Sequence, residues 1–195
     1  IEGKGSHAAR PNQGIDSVVV GAHIVTALQS IVARNVDPLH SAVVSMCQFH
    51  AGEADNVVPQ FARISGTVRT FDPATRDRVE AALKAIATSV AAGLGATATV
   101  TYRRSYPAVV NEPEATAFAA AIAATIGTVN TDAPPVMGSE DFSYMLREAP
   151  GAFIFAGNGD SAALHHPAYD FDDRLLPVGI QYWTSLVEAE LPLAA

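Results

Sequence analysis

One cysteine, Cys47, and one tryptophan are all that 195 residues contain of either type. A single thiol excludes an internal disulfide and fits a reducing compartment, so a cytoplasmic location is the expectation. Charge is scarce as well. Only 16% of residues are charged, and the twelve Lys and Arg are scattered without a basic stripe at a net charge of -8. Such a surface has no electrostatic hold on a nucleic-acid backbone or an anionic bilayer, so neither is expected as a partner. No apolar run reaches the length of a membrane span, and Ile1-Glu2-Gly3-Lys4-Gly5 carries too much charge and glycine for a secretory signal. The first residue is Ile rather than Met, which leads us to expect a piece of something longer. Repeats are absent, and alanine enrichment is the only compositional bias. Apolar content is what the chain does have, at 49%, enough for the core of one large domain or two small ones.

The order of apolar patterns defines two parts. Ser6-His7-Ala8-Ala9 reads as a short extended piece closed by Pro11 and Gly14. A helix begins at the N-cap Asp16, with Ile15, Val18, Val19, Ala22, Val25, Leu28 and Val32 in helical step, and ends by Asn35 and Pro38. His23 falls on its surface. Residues 42–49 are β-branched and apolar enough for a strand, with Cys47 as a small core residue. After the turn 51–56, residues 62–70 alternate, with Ile64 and Val68 on one face. Asp72-Pro73 is a cap followed by proline at the first helical position, Val79, Leu83, Ile86 and Val90 form a stripe, and Gly93 stands at the expected end. Residues 97–102 read as a further strand. The order β-α-β-β-α-β is that of a ferredoxin-like unit, a four-stranded sheet with both helices on one face, and the fold class is α+β.

Residues 109–195 follow a different pattern. Residues 115–126 form an alanine-rich helix, and Ser139 or Asp141 caps a short helix through Leu146. Residues 152–156 are a continuous apolar run of the kind found in a strand buried on both faces. A helix over 175–191 closes the chain, with Val178, Tyr182, Leu186 and Ala189 in step. One buried strand is not a sheet. This incomplete α/β segment therefore needs strands from elsewhere.

Candidate chemical groups are few, and each has a structural explanation beside the functional one. His7 sits near a strand end. Asn56 suits a turn. Arg69 is either a solvated strand charge or a fork for a substrate carboxylate. Gly138-Ser139-Glu140-Asp141 is either a helix start or a set of backbone N–H groups for an anion. His165, in Leu164-His165-His166-Pro167-Ala168-Tyr169-Asp170-Phe171, is the best metal-ligand candidate. Asp170, Asp172 and Asp173 read as turn and cap residues. A catalytic zinc site needs about three protein ligands, and this loop offers one or two.

Together, Gly5-Ser6-His7-Ala8-Ala9-Arg10-Pro11, Asn56-Val57-Val58-Pro59, Gly66-Thr67-Val68-Arg69-Thr70, Gly138-Ser139-Glu140-Asp141-Phe142 and the His165 loop resemble a family. Their order and spacing are similar to those of the metal-dependent amidohydrolases and metallopeptidases of the aminoacylase, hippurate hydrolase and indole-acetyl-amino-acid hydrolase group. The resemblance implies that residues 1–108 are a ferredoxin-like lid that also makes a homodimer contact. It implies that 109–195 are the C-terminal part of an α/β catalytic domain whose N-terminal part is absent. By the same resemblance the intact enzyme cleaves the amide bond of N-acyl amino acids with metal-activated water, using two divalent ions, zinc or manganese. His165 would be a metal ligand and His7 and Asn56 catalytic residues acting on the scissile carbonyl, His7 from the partner subunit. Arg69, Gly138 and Ser139 would bind the substrate carboxylate. The segment that carries the other ligands and the glutamate base in that family is missing, so this chain alone is expected to bind metal weakly or not at all and to be inactive. The rival readings are a non-catalytic dimerisation or binding module, and a dipeptidase or carboxypeptidase of the same superfamily.

Overall fold

The computed structural model describes residues 1–191. The chain divides into two compact units, Ile1–Ala108 and Val109–Ala195, each with its own organisation. Both mix helix and extended segments, and the α+β class holds.

In the first unit the elements are β1 (Ser6–His7), α1 (Ser17–Leu28), β2 (Ala42–Ala51), β3 (Val57–Val58), β4 (Ala62–Thr70) and α2 (Pro73–Gly93). Each helix starts at the cap its sequence advertises. Asp16 accepts from Val18 N–H at 2.8 Å and Val19 N–H at 3.2 Å, and Asp72 accepts from Thr75 N–H at 2.8 Å ahead of Pro73. The left-handed residue that ends α2 is Gly95 (φ +81°) rather than Gly93. Gly95 N–H meets Ala92 C=O and Ala96 N–H meets Ala91 C=O, a Schellman closure.

The core packs α1 and α2 on one face of β2 and β4. Val20, Ile24, Leu28 and Ile31 from the first helical stretch meet Val79, Ala87 and Ala91 from the second, over Ala42, Val44, Met46 and Val68. The buried face of α1 is thus rotated from the expected one, and Val18, Val19 and Val32 are exposed. The helix is apolar around most of its circumference, so periodicity alone does not select a face. A second correction follows from the same feature. The helical stretch Ser17–Asn35, which ends in a π-helical turn at Ile31–Asn35, is long and apolar enough to cross a membrane by length and composition. In this unit its apolar face is core.

β2 and β4 form an antiparallel ladder from Ala42↔Thr70 to Ala51↔Ala62, broken by a bulge between Met46 and Gln48. Cys47 is the bulged residue. It is exposed, not a core residue as its type led us to expect. The extra residue shifts the alternation, so Ala42, Val44 and Met46 face the helices before it and Phe49 faces them after it. The Phe49 ring fits against Gly21, where a Cβ would lie 2.4 Å from Cζ. Gly66 stands opposite the bulge, and a Cβ there would lie 2.1 Å from the Ser45 carbonyl oxygen.

The expected four-stranded sheet is not continuous. Among the described residues the ladders are two-stranded, β1 with β3 and β2 with β4. Residues 97–102 make no strand. Glu2 and Thr97 exchange N–H···O bonds of 2.7 and 2.9 Å, and Glu2 also bridges Phe61. The N-terminal segment then leaves that partner, because Lys4 pairs with Ile15, and among the described residues nothing extends the ladder beyond Thr97. Ala98 and Val100 still pack on the core.

The second unit contains α3 (Pro113–Ala124), α4 (Phe142–Glu148) and α5 (Leu175–Glu190). α3 begins two residues earlier than expected because the Glu112 side chain caps it, accepting from Ala115 N–H at 2.6 Å and Glu114 N–H at 3.0 Å. On α5 the more buried positions are Leu175, Gly179, Tyr182, Ser185 and Leu186, while Val178 and Ala189 are exposed. The expected strand at 152–156 is absent, and Ile154 and Phe155 are exposed. The Asn111 side chain takes the place of a neighbouring strand. Its Nδ2 donates to Phe153 C=O and its Oδ1 accepts from Phe153 N–H, both at 2.9 Å. Phe153 also stacks edge-on with Phe155 at 5.2 Å and meets Phe142 of α4 at 5.7 Å.

Two outcomes follow from the first unit. Gly66→Ala forces the β2 backbone away from β4 at the bulge and should cost about 1–3 kcal/mol in urea unfolding, and a change below about 0.5 kcal/mol would show that the ladder yields freely. The Thr75 N–H hydrogen bond holds the Asp72 carboxyl below the ordinary range, with the His40 ring 3.8 Å away adding a smaller effect. A carboxyl depressed in the folded state stabilises above its unfolded value, about 3.9, and loses that contribution as pH falls through the lower folded value. The stability advantage of wild type over Asp72→Asn, which caps without titrating, should shrink in thermal unfolding as pH falls through and below the ordinary carboxylate range. A pH-independent difference would refute the cap's ionic component.

Candidate functional site

The short β1–β3 ladder brings His7 and Asn56 together. Ser6 pairs with Val58 and His7 with Val57, and Ala8 N–H donates to the Asn56 carbonyl at 2.9 Å. Both residues are exposed. The His7 Nδ1 accepts from Ala9 N–H at 3.1 Å. A backbone donor there requires Nδ1 to be unprotonated, so the neutral ring carries its proton on Nε2 and presents a donor outward. The Asn56 side chain makes no hydrogen bond among the described residues.

Arg69 lies on the other ladder. The unbroken alternation of β4 puts it on the face opposite to the core-packed Val68, with Val43 across the ladder and with Thr67, Ser65 and Arg63 along the same strand face. Its Nη1 donates to Thr67 Oγ1 and to Val68 C=O, the latter at 3.1 Å. The Nε–Nη2 edge has no protein partner among the described residues. That edge is one geometry by which guanidinium meets the two oxygens of a carboxylate.

In the second unit, Gly138 is exposed and Ser139 half-buried in the segment before α4. Neither Ser139 nor Asp141, the expected caps, caps the helix through its side chain, although Asp141 occupies the N-cap position. The first turn is tied instead by Ser143, whose Oγ donates to Glu140 C=O at 2.6 Å.

His165 stands at the tip of the loop 158–172. It is the sole non-glycine residue with positive φ among the described residues, at +67°. A β-turn closed by His166 N–H to Ala163 C=O at 3.0 Å holds it there, and a second turn runs from His166 to Tyr169 with Pro167 in its second position. His166 is occupied structurally, its Nδ1 accepting from Ala168 N–H at 3.1 Å. Both His165 ring nitrogens are exposed and without partners among the described residues. Left-handed backbone is uncommon outside glycine, and histidine is one of the types that adopt it more readily, here as the third residue of the turn.

The base of the loop depends on a residue that the sequence did not single out. Asn158 bridges the two limbs through hydrogen bonds to Ser161, Asp170 and Asp172. Its only signal was its place between Gly157 and Gly159 after an apolar run, which reads as an ordinary turn. Arg174 grips Asp172 through Nε at 2.9 Å and Nη2 at 2.6 Å and holds that carboxyl below the ordinary range. An open cleft of about 560 Å³ between the limbs is lined by Asn158, Asp160, Asp170 and Phe171 among others. No group of three or more His, Cys, Asp or Glu converges on a metal-binding geometry among the described residues. His165 fits a divalent metal as a single exposed imidazole, and further ligands would have to come from outside the described residues.

The chain belongs to the peptidase family M20/M25/M40, whose profile it matches over residues 3–189. It is 37% identical over 186 residues to the N-acetylcysteine deacetylase of Bacillus subtilis (strain 168), covering 95% of this chain and 49% of that protein. Thermostable carboxypeptidase 1 of Saccharolobus solfataricus is 35% identical, over 92% of this chain and 47% of its own length. A crystal structure from Bacillus subtilis, described as a dinuclear metal-binding peptidase of the M20 family, superposes with a TM-score of 0.69 at 32% identity, over 92% of this chain and 48% of the other. The chain thus spans about half the length of the relatives it matches.

The ring geometry leads to a spectroscopic expectation. Long-range ¹H–¹⁵N correlation spectra at alkaline pH should show His7 and His166 as Nε2–H tautomers, because a backbone N–H occupies Nδ1 in each. An Nδ1–H tautomer at His7 would mean that the Ala9 contact is not formed in solution.

Proposed function

We propose that this chain is the lid and the C-terminal part of the catalytic domain of a metal-dependent amidohydrolase that releases amino acids from N-acyl amino acids. The observation that carries the reading is the family match over 3–189 together with relatives named as deacetylases of N-acetylated amino acids. A ferredoxin-like lid is supported by the neighbour order Thr97, Glu2, Phe61 just ahead of β4, then β4 and β2, with α1 and α2 in one core. β2 pairs on one edge only among the described residues, and its other edge supports a homodimer formed through the lid.

His165 is the metal ligand in this reading, supported by its bare ring and left-handed backbone. The divalent metal, zinc or manganese and two ions in the intact enzyme, supplies a Lewis acid and an activated water when bound. His7 of one protomer donates from Nε2 to the scissile carbonyl in its partner's site. Asn56 adds an amide donor beside it, so that both stabilise charge developing on that oxygen. Arg69 anchors the substrate carboxylate through its free Nε–Nη2 edge, helped by the backbone of Gly138 and Ser139. Cys47, the lone thiol, is compatible with a cytoplasmic setting.

The similarity to a carboxypeptidase favours one other substrate class, peptides held by their C-terminal carboxylate at the same arginine. A non-catalytic dimerisation module is the remaining reading of the chain by itself, favoured by the lack of converging ligands among the described residues.

The test uses the intact enzyme with zinc or manganese against N-acetyl and N-benzoyl amino acids and against dipeptides. Amino-acid release from the N-acyl substrates supports the reading, and turnover of peptides alone moves it to the carboxypeptidase class. Turnover by the isolated 195-residue chain would refute the need for ligands beyond it. Arg69→Ala should lower kcat/KM for substrates with a free α-carboxylate by about 10- to 100-fold, the worth of a charge-assisted hydrogen bond, and leave their esters nearly unchanged. Equal loss on both would sink the anchor role.

A further inference from the structure

The Asn158 amide uses both of its ends on the two limbs of the histidine loop. Its Nδ2 donates to Asp170 C=O at 2.8 Å and to Ser161 Oγ at 3.0 Å, and its Oδ1 accepts from Asp172 N–H at 2.8 Å. Among the described residues no other hydrogen bond joins the limbs at the base. The C-terminal limb is in turn fixed to the start of α5, where Leu175 N–H donates to Asp172 C=O at 2.9 Å and Arg174 clasps the Asp172 carboxylate. One side chain therefore ties the N-terminal limb to the limb that the helix start fixes. Without it, the segment between Asn158 and Asp172 would keep only its two internal turns and its covalent ends, and its tip would sample more positions. His165, whose own side chain nothing else holds, sits at that tip.

Resting on the reading of His165 as a metal ligand, we propose that Asn158 is a positioning residue for it. The amide closes the loop base so that the imidazole is presented in one place. Ligand affinity depends on such pre-organisation because an ordered loop loses less entropy when it binds. Neither end of the amide is dispensable. A carboxylate at this position keeps an acceptor for Asp172 N–H but turns an acceptor toward the Asp170 carbonyl.

The experiment measures zinc affinity of the intact enzyme by competition with a chromophoric chelator, and the visible bands of its cobalt-substituted form. Asn158→Ala should weaken zinc binding by about 10-fold, within the range seen when support behind a metal ligand is removed, and should shift the cobalt bands. Asn158→Asp should do the same. In a His165→Ala background, Asn158→Ala should produce no further loss, because its effect passes through the missing ligand. If His165→Ala alone leaves zinc affinity unchanged, the ligand reading fails. If His165→Ala weakens binding but both Asn158 variants match wild type, or lose affinity equally in the His165→Ala background, the positioning role fails and the ligand reading stands. Loss of the native circular dichroism in both Asn158 variants would also overturn it, since the amide would then serve the fold of the unit rather than the loop tip.

Discussion

A buried peptide group without a hydrogen-bond partner costs about 1–3 kcal/mol, and the two units of this chain meet that demand by different means. In the first unit the backbone pairs with itself. The N-terminal segment has Phe61 on one side and Thr97 on the other, and β2 lies along β4 over nearly its whole length. In the second unit, where the described residues hold no strand, side chains substitute. Asn111 pairs with both backbone groups of Phe153, Glu112 caps α3, and Asn158 ties the limbs of the histidine loop.

That difference bears on the proposed chemistry. His7 and Asn56 gain their placement from a short ladder, so their side chains project from backbone that is already paired. Arg69 gains its face from the uninterrupted alternation of β4, in which Val68 turns to the core, while the bulge at Cys47 resets β2 alone. His165 relies on two turns and one amide, with its backbone left-handed at the third position of the first turn. Exposed apolar side chains on α5, among them Ile180 and Trp183, and the exposed run at Ile154 and Phe155 suit a unit that has further surface to cover.

How much was legible in the sequence varies with the range of the interaction concerned. Asp16 and Asp72 announced their helices because an N-cap acts on backbone two or three residues away. Ile64 and Val68 declared a strand face by simple alternation. The bulge was not legible, since it depends on the register between β2 and β4 and has no local signature at Cys47 apart from Gly66 across the ladder. The face of α1 was hidden for another reason: with valine, alanine and isoleucine nearly all round, only Phe49 fitting against Gly21 and the contact with α2 select it. Residues 97–102 and 152–156 have strand composition, but a strand also needs a neighbour. At Thr97 the neighbour turns away after Glu2, and at Phe153 it is one asparagine side chain.

The linear chain by itself determined the helix starts, the alternating pattern of 62–70 and the set of motifs on which family membership rests, because each depends on residue type at short spacing. Tertiary structure alone decided which helix faces are core, where the β2 register slips, that His7 and Asn56 lie side by side, and that Asn158 supports the histidine loop. Those are contacts between residues distant along the chain. Residue type at one end of such a contact carries no record of what stands at the other.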